Sequence, residues 1–193
     1  ILTGSQNFLL LEKISQSLAG RTAIFYLLPF SQGELLKRPA VNSENYPGQE
    51  YARELSSGLW ETVMTGFYPR IHDKGLTPRQ WLASYFQTYL ERDVRSIVNV
   101  GELETFGRFI RLCAGRTGQL VNFSSLGADC GISNMTAKRW LSILQASFII
   151  AMLPPHNENF NKRIIKSPKL YFLDTGLLSF LLGIRTQEEL LLH

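Results

Sequence analysis

Apolar positions recur along this chain in two rhythms, one of strands and one of helices. Near the start, residues 1–3 read as the end of a buried strand and Gly4 with Ser5 as a turn. Residues 7–18 follow as a helix, with Phe8, Leu11, Ile14 and Leu18 on one face. Gly20 suits the left-handed position after that helix. The run TAIFYLLPF is nearly all apolar, as in a strand covered on both faces of a parallel sheet. Ser31 and Glu34 then have the spacing of a capping box for the next helix.

Proline, asparagine and glycine accumulate in KRPAVNSENYPGQE, which marks a loop or linker. Residues 51–76 suggest a short helix, a turn and a loop. Thr77 and Pro78 open a long helix, with Leu82, Tyr85, Phe86, Tyr89 and Leu90 on one side through about Asn99.

From Glu102 the order becomes helix, helix, turn, helix, hairpin. Phe106, Phe109, Ile110 and Cys113 share one face of the first helix, and AGRTG ends it. Ser124 or Ser125 caps a short second helix that runs to about Cys130. Gly131 turns the chain, and Ser133 caps a third helix running to about Gln145. SFIIAMLPP and KRIIKSPKLYFLD are strands around the polar tip HNENFN, and Asp174 or Thr175 caps GLLSFLLG.

The third helix divides cleanly. Ala137, Trp140, Leu141 and Leu144 fall on one face, and Asn134, Met135, Lys138, Arg139 and Ser142 on the other. A helix-turn-helix reader needs that division: an apolar face to fix the helix, and polar N-terminal residues free to enter a major groove. The hairpin makes the unit a winged helix, whose Lys162, Arg163, Lys166 and Lys169 could meet phosphates. DNA is therefore the expected partner. The same fold also serves as a protein-interaction scaffold, and that alternative stands beside it.

Charge adds little. The chain carries 20 Lys and Arg against 16 Asp and Glu, a mild excess that permits an acidic partner without demanding one. The two cysteines, Cys113 and Cys130, sit inside apolar helical patterns and read as buried thiols of a reducing compartment. Apolar runs are too short to span a bilayer, so the cytoplasm is the expected location. His72, His156 and His193 are scattered without partners at ligand spacing, so no metal site is expected. Glu91 and Asp93 lie beside Arg92 and Arg95, which favours ion pairs over paired-acid catalysis. Helix capping explains Asp174 more simply than a nuclease acid does.

Several stretches in order resemble one family. ILTGSQNFLL and SLAGRTAIFYLLPFSQGEL are similar to the last third of the AAA-type ATPase module in a group of bacterial and archaeal predicted ATPases. GFYPR, YLERDV, the segment from FIRLCAGRTG to FIIAMLPP, and KSPKLYFLDTGLLSFLLG resemble the C-terminal DUF4143 region of the same proteins. The resemblance implies an α/β remnant of a P-loop ATPase module over residues 1–40 and a helical connector over 41–100. A winged helix-turn-helix over 101–165 and the start of a PD-(D/E)XK nuclease-like domain over 166–193 would follow.

It also implies a chain truncated at both ends, lacking the N-terminal ATPase half and most of the C-terminal domain. ATP and Mg would serve the full-length family. No G-x-x-x-x-G-K-[ST] occurs here, nor does the acidic strand that holds Mg, so neither ligand nor ATP hydrolysis is expected of this chain alone. By position Ser5 or Gln6 would be the γ-phosphate sensor and Arg21 an arginine finger. Ser5 could equally just turn the chain, and Arg21 pair with a surface carboxylate. The sheet edge left open in such a remnant would invite another chain, so an oligomer is also in view.

Overall fold

The structure, a computed structural model, describes residues 25–38, 58–95, 102–156 and 167–192. In chain order the described elements are α1 (Gln32–Leu35), α2 (Leu59–Thr65), α3 (Pro69–Lys74), α4 (Pro78–Thr88), a π-helical turn (Tyr89–Val94), α5 (Leu103–Ala114), α6 (Phe123–Cys130), α7 (Asn134–Ala146), β1 (Ile150–Leu153), β2 (Lys169–Phe172), α8 (Thr175–Leu182) and α9 (Gln187–Leu191). Contacts divide the chain into two units: Ile1–Leu27 with Gln87–Leu173, and Leu28–Phe86 with Asp174–His193. Both units are discontinuous in sequence, each drawn from two separate segments.

In the second unit, the capping box of α1 forms as expected. Ser31 Oγ accepts from the Glu34 amide at 3.2 Å, and Glu34 Oε2 accepts from the Ser31 amide at 2.7 Å. Helix α3 falls where a loop was expected. Pro69 occupies its first turn, Gly75 ends it in the left-handed region at φ 56°, and Ile71 is its buried residue. Six residues with one buried side chain are too few to produce a helical period in the sequence. Helices α8 and α9 pack on α2. Gly176 lets α8 approach closely: a Cβ there would stand 2.6 Å from the Thr65 carbonyl oxygen.

As an α-helix, α4 ends at Thr88 rather than near Asn99. Its ladder widens into the π-helical turn, and the Arg95 amide donates to the Leu90 carbonyl at 3.1 Å.

In the other unit, α5, α6 and α7 enclose a core built on the positions that the helical period selected. Phe106, Phe109, Ile110 and Cys113 are fully buried. Trp140 meets Phe106 and Phe109 edge-on, with centroids 5.1 and 5.3 Å away. The cap of α6 is Asn122, not Ser124 or Ser125: its side chain accepts from the Ser125 amide at 3.0 Å. Asparagine caps as well as serine does, and Asn122 lies two residues before Ser124 and three before Ser125. Gly131 takes φ 71° between α6 and α7, as the turn requires.

Strands β1 and β2 pair antiparallel, from Ile150 opposite Phe172 to Leu153 opposite Lys169. Leu120, between α5 and α6, bridges Lys169 on the other side of β2. The order along the chain is thus helix, bridge, helix, helix, strand, strand.

One expectation fails outright. Phe25–Leu28 has no regular structure, and Phe25 and Leu27 are 86% and 94% exposed, not sandwiched in a sheet. An apolar run becomes a strand only where a neighbour completes its ladder, and these residues have none among the described ones. Residues 1–3, the helix over 7–18, Gly20 and the hairpin tip beyond His156 lie outside the described residues, as do the side chains of Glu91, Arg92 and Asp93.

Candidate nucleic-acid interface

Helix α7 is positioned from one side. Ala137, Trp140, Leu141, Ile143 and Leu144 are buried, which fixes both the axis and the rotation of the helix. Its start is fixed by Ser133, whose Oγ accepts from the Thr136 amide at 3.0 Å. The opposite face emerges as the wheel requires, with Asn134, Met135, Lys138, Arg139 and Ser142 all exposed.

These residues are not equally free. Asn134 donates through Nδ2 to Ser124 Oγ at 2.8 Å, which ties the first turn of α7 to α6. Arg139 leans toward α5, with a guanidinium nitrogen 3.8 Å from Glu102 Oε2. That distance is an ion pair and not a hydrogen bond; Glu102 Oε2 is shielded from solvent and has no hydrogen-bond donor among the described residues. The Ser142 hydroxyl is turned back onto the Lys138 carbonyl at 3.1 Å. Lys138 makes no ion pair among the described residues. Lys162, Arg163 and Lys166 lie outside the described residues, while Lys169 is exposed on β2.

The electrostatics sharpen the picture. Residues 102–173 hold nine Lys and Arg against four Asp and Glu, a net +5, while the rest of the chain holds eleven against twelve. The positive charge of the protein therefore resides entirely in this segment. No Asp or Glu occurs between Asp129 and Glu158, so α7 and its flanks carry no acid. Asp129 itself is taken up by Arg116, which also donates to Ser125 Oγ at 2.9 Å. Arg108 donates to the Cys130 carbonyl at 3.1 Å, closing the end of α6.

Other chemistry has less to stand on. Burial pushes the Cys113 thiol up to about 12 and raises that of Cys130 as well, so both stay protonated and poor as nucleophiles or ligands. No group of three His, Cys, Asp or Glu that could hold a metal occurs among the described residues. His72 Nε2 lies 2.9 Å from the Gly66 carbonyl, and His156 is exposed. Asp174 is buried as the cap of α8, its Oδ1 accepting from the Leu177 amide at 2.6 Å. Among the described residues, no helix is long and apolar enough to cross a membrane.

Two features of the site escaped the helical wheel. The acid-free interval and the charge segregation were countable in the sequence by segment, whereas the whole-chain excess hid them. The Glu102–Arg139 pair spans 37 residues and left no local signal.

A family model described as "Domain of unknown function (DUF8612)" matches residues 56–188, more than half of the chain. "Uncharacterized protein Rv2008c" of Mycobacterium tuberculosis and "Uncharacterized protein Mb2031c" of Mycobacterium bovis are each 36% identical over 104 residues. Those residues make up 54% of this chain and 24% of each relative, so the chain spans about a quarter of the length of the curated relatives it matches. No solved structure matches.

These matches overturn the resemblance to AAA-type ATPases with a DUF4143 region, and with it the ATP-binding and nuclease-like assignments. The stretches that suggested that family have local explanations. GIS before the third helix is a glycine turn plus a cap, and LDTG is a cap plus a close-approach glycine. The sensor and finger roles lent to Ser5, Gln6 and Arg21 lose their ground, and all three lie outside the described residues.

Proposed function

Taking as premise that the chain belongs to the family described as Domain of unknown function (DUF8612), we propose that residues 102–173 form a winged helix that binds double-stranded DNA through α7. The observation that carries this reading is the coincidence of two independent features. The helix with an exposed polar face lies in the segment that holds all the excess positive charge, within its acid-free interval between Asp129 and Glu158.

A duplex presents a dense row of phosphates, and binding it releases condensed counterions as lysines and arginines replace them. Lys138 makes no ion pair among the described residues, and Arg139 joins it once phosphate competes with Glu102. Asn134 acts as a brace, since its amide already engages Ser124. Lys169, exposed on β2, supplies a contact to the DNA backbone, and Lys162, Arg163 and Lys166 add positive charge to the same segment of the sequence. The cytoplasm, where DNA is accessible and free buried thiols persist, is the location that fits.

Amide chemical-shift mapping with a short random-sequence duplex at low ionic strength tests this. Shifts concentrated at residues 133–142 and in β2 are expected. Absence of shifts on α7 at saturating duplex would overturn the assignment and favour the protein-scaffold role.

A further inference from the structure

Met135 is 76% exposed, the most exposed large apolar side chain of residues 102–156, and it stands in the first turn of α7 on the reading face. Its neighbours on that face differ in how far they are committed. Asn134 is held by Ser124 and Arg139 by Glu102, whereas Lys138, one turn on from Asn134, makes no ion pair among the described residues. The N-terminal turns of such a helix are those that reach base edges in a major groove. At that depth the groove offers one apolar feature, the C5 methyl of thymine, while guanine offers paired acceptors that suit a lysine.

Resting on the DNA-binding reading above, we propose that Met135 and Lys138 set the sequence preference of α7. Met135 packs on a thymine methyl, and Lys138 bonds O6 and N7 of a nearby guanine. A helix rises about 1.5 Å per residue, so three positions span roughly 4.5 Å along its axis. Base pairs step by about 3.4 Å, which places the guanine one or two pairs from the thymine. The preferred site therefore contains a thymine and a guanine within that spacing.

The test starts by selecting duplexes from a random-sequence pool with the full chain. The enriched duplex is then resynthesised with deoxyuridine for thymine, which deletes the C5 methyl alone. Binding of both duplexes is measured by fluorescence anisotropy for the wild type and for Met135→Ala. Wild type should bind the uridine duplex about fourfold more weakly, as about 0.8 kcal/mol for one buried methyl implies. Met135→Ala should bind both duplexes alike, and its melting temperature should match the wild type because the side chain is exposed.

Wild-type binding that is indifferent to the methyl overturns the inference and leaves DNA binding intact. A methyl effect that persists in Met135→Ala also overturns it, since another residue then reads the thymine. No enrichment and no binding at all overturns the DNA-binding reading, and this inference with it.

Discussion

The amide of Phe67 donates to a carboxylate oxygen of Asp174 at 2.6 Å, joining two residues that lie 107 positions apart. The other oxygen accepts from the Leu177 amide at 2.6 Å, so one buried side chain caps α8 and also holds the turn between α2 and α3. Both oxygens face donors. Asp174→Asn should place an amide NH₂ against one of those donors and destabilise the protein by roughly 1–3 kcal/mol. Asp174→Ala, which strands both amides, should cost more. Urea unfolding measures both; an asparagine variant as stable as wild type would show that the bond to Phe67 contributes nothing.

The same carboxylate gives a pH dependence of definite sign. Burial raises its titration above the ordinary 3.8, although backbone donation from Phe67, Leu177 and Gly176 pulls the other way. The folded chain then holds this proton more readily than the unfolded chain does. Its contribution is fully present below 3.8 and is lost as pH rises through the raised folded value. The stability difference between wild type and Asp174→Asn should therefore shrink in wild type's disfavour across that window. Urea midpoints taken over the acid range check it. A wild-type advantage that grows with pH would mean that the backbone donors outweigh burial.

Two glycines should respond in opposite ways to alanine. At Gly176 the new methyl would meet the Thr65 carbonyl oxygen at 2.6 Å and the Gly66 Cα at 2.8 Å, so overpacking should cost about 1–3 kcal/mol. At Gly115 the nearest atom is 3.7 Å away and the backbone is helical, with φ −64°. Gly115→Ala should be neutral or stabilise by up to about 1 kcal/mol. Thermal melting distinguishes them, and equal effects at the two sites would contradict the close approach of α8 to α2.

Trp140 separates packing from hydrogen bonding. Its indole N–H is buried without a partner among the described residues, and its ring packs against Phe106 and Phe109. Trp140→Ala should cost roughly 3–5 kcal/mol, and Trp140→Phe clearly less, because the phenyl keeps the edge contact and removes the orphaned donor. Denaturant midpoints for the pair would settle the point. A phenylalanine variant as unstable as the alanine one would indicate that the N–H matters after all.

How much of this was legible in the sequence follows from where each signal resides. The α5–α7 core could be read because Phe106, Phe109, Ile110, Trp140 and Leu144 repeat at helical spacing, and caps such as Ser31 and Ser133 act within three or four residues. Helix α3 could not, having one buried residue to announce it. The run from Phe25 misled because apolar content alone does not supply a partner strand. At the candidate interface, the exposed face of α7 was visible by periodicity. The commitments of Asn134 to Ser124 and of Arg139 to Glu102 depend on tertiary packing that no local pattern encodes.

Glu102 should act as a brake on DNA binding. Removing its charge by Glu102→Gln frees Arg139 for phosphate, so affinity should rise and the salt dependence should steepen by nearly one unit of slope, as for one added phosphate contact. In an Arg139→Ala background the same substitution should change neither quantity. Anisotropy titrations over a salt series read both. A rise in affinity that persists without Arg139 would mean that Glu102 acts by general repulsion instead.

The central claim, that α7 binds DNA through its basic face, is tested most directly by the salt dependence of affinity in wild type and in the Lys138→Ala, Arg139→Ala double variant. Both side chains are exposed, so the double variant should melt as wild type does, within about 0.5 kcal/mol. For wild type, the logarithm of affinity for a duplex should fall linearly with the logarithm of salt concentration. The double variant should bind more weakly, with a slope shallower by up to about two units. Wild-type binding that is absent at low ionic strength, or a double variant with the wild-type affinity and slope, would contradict it.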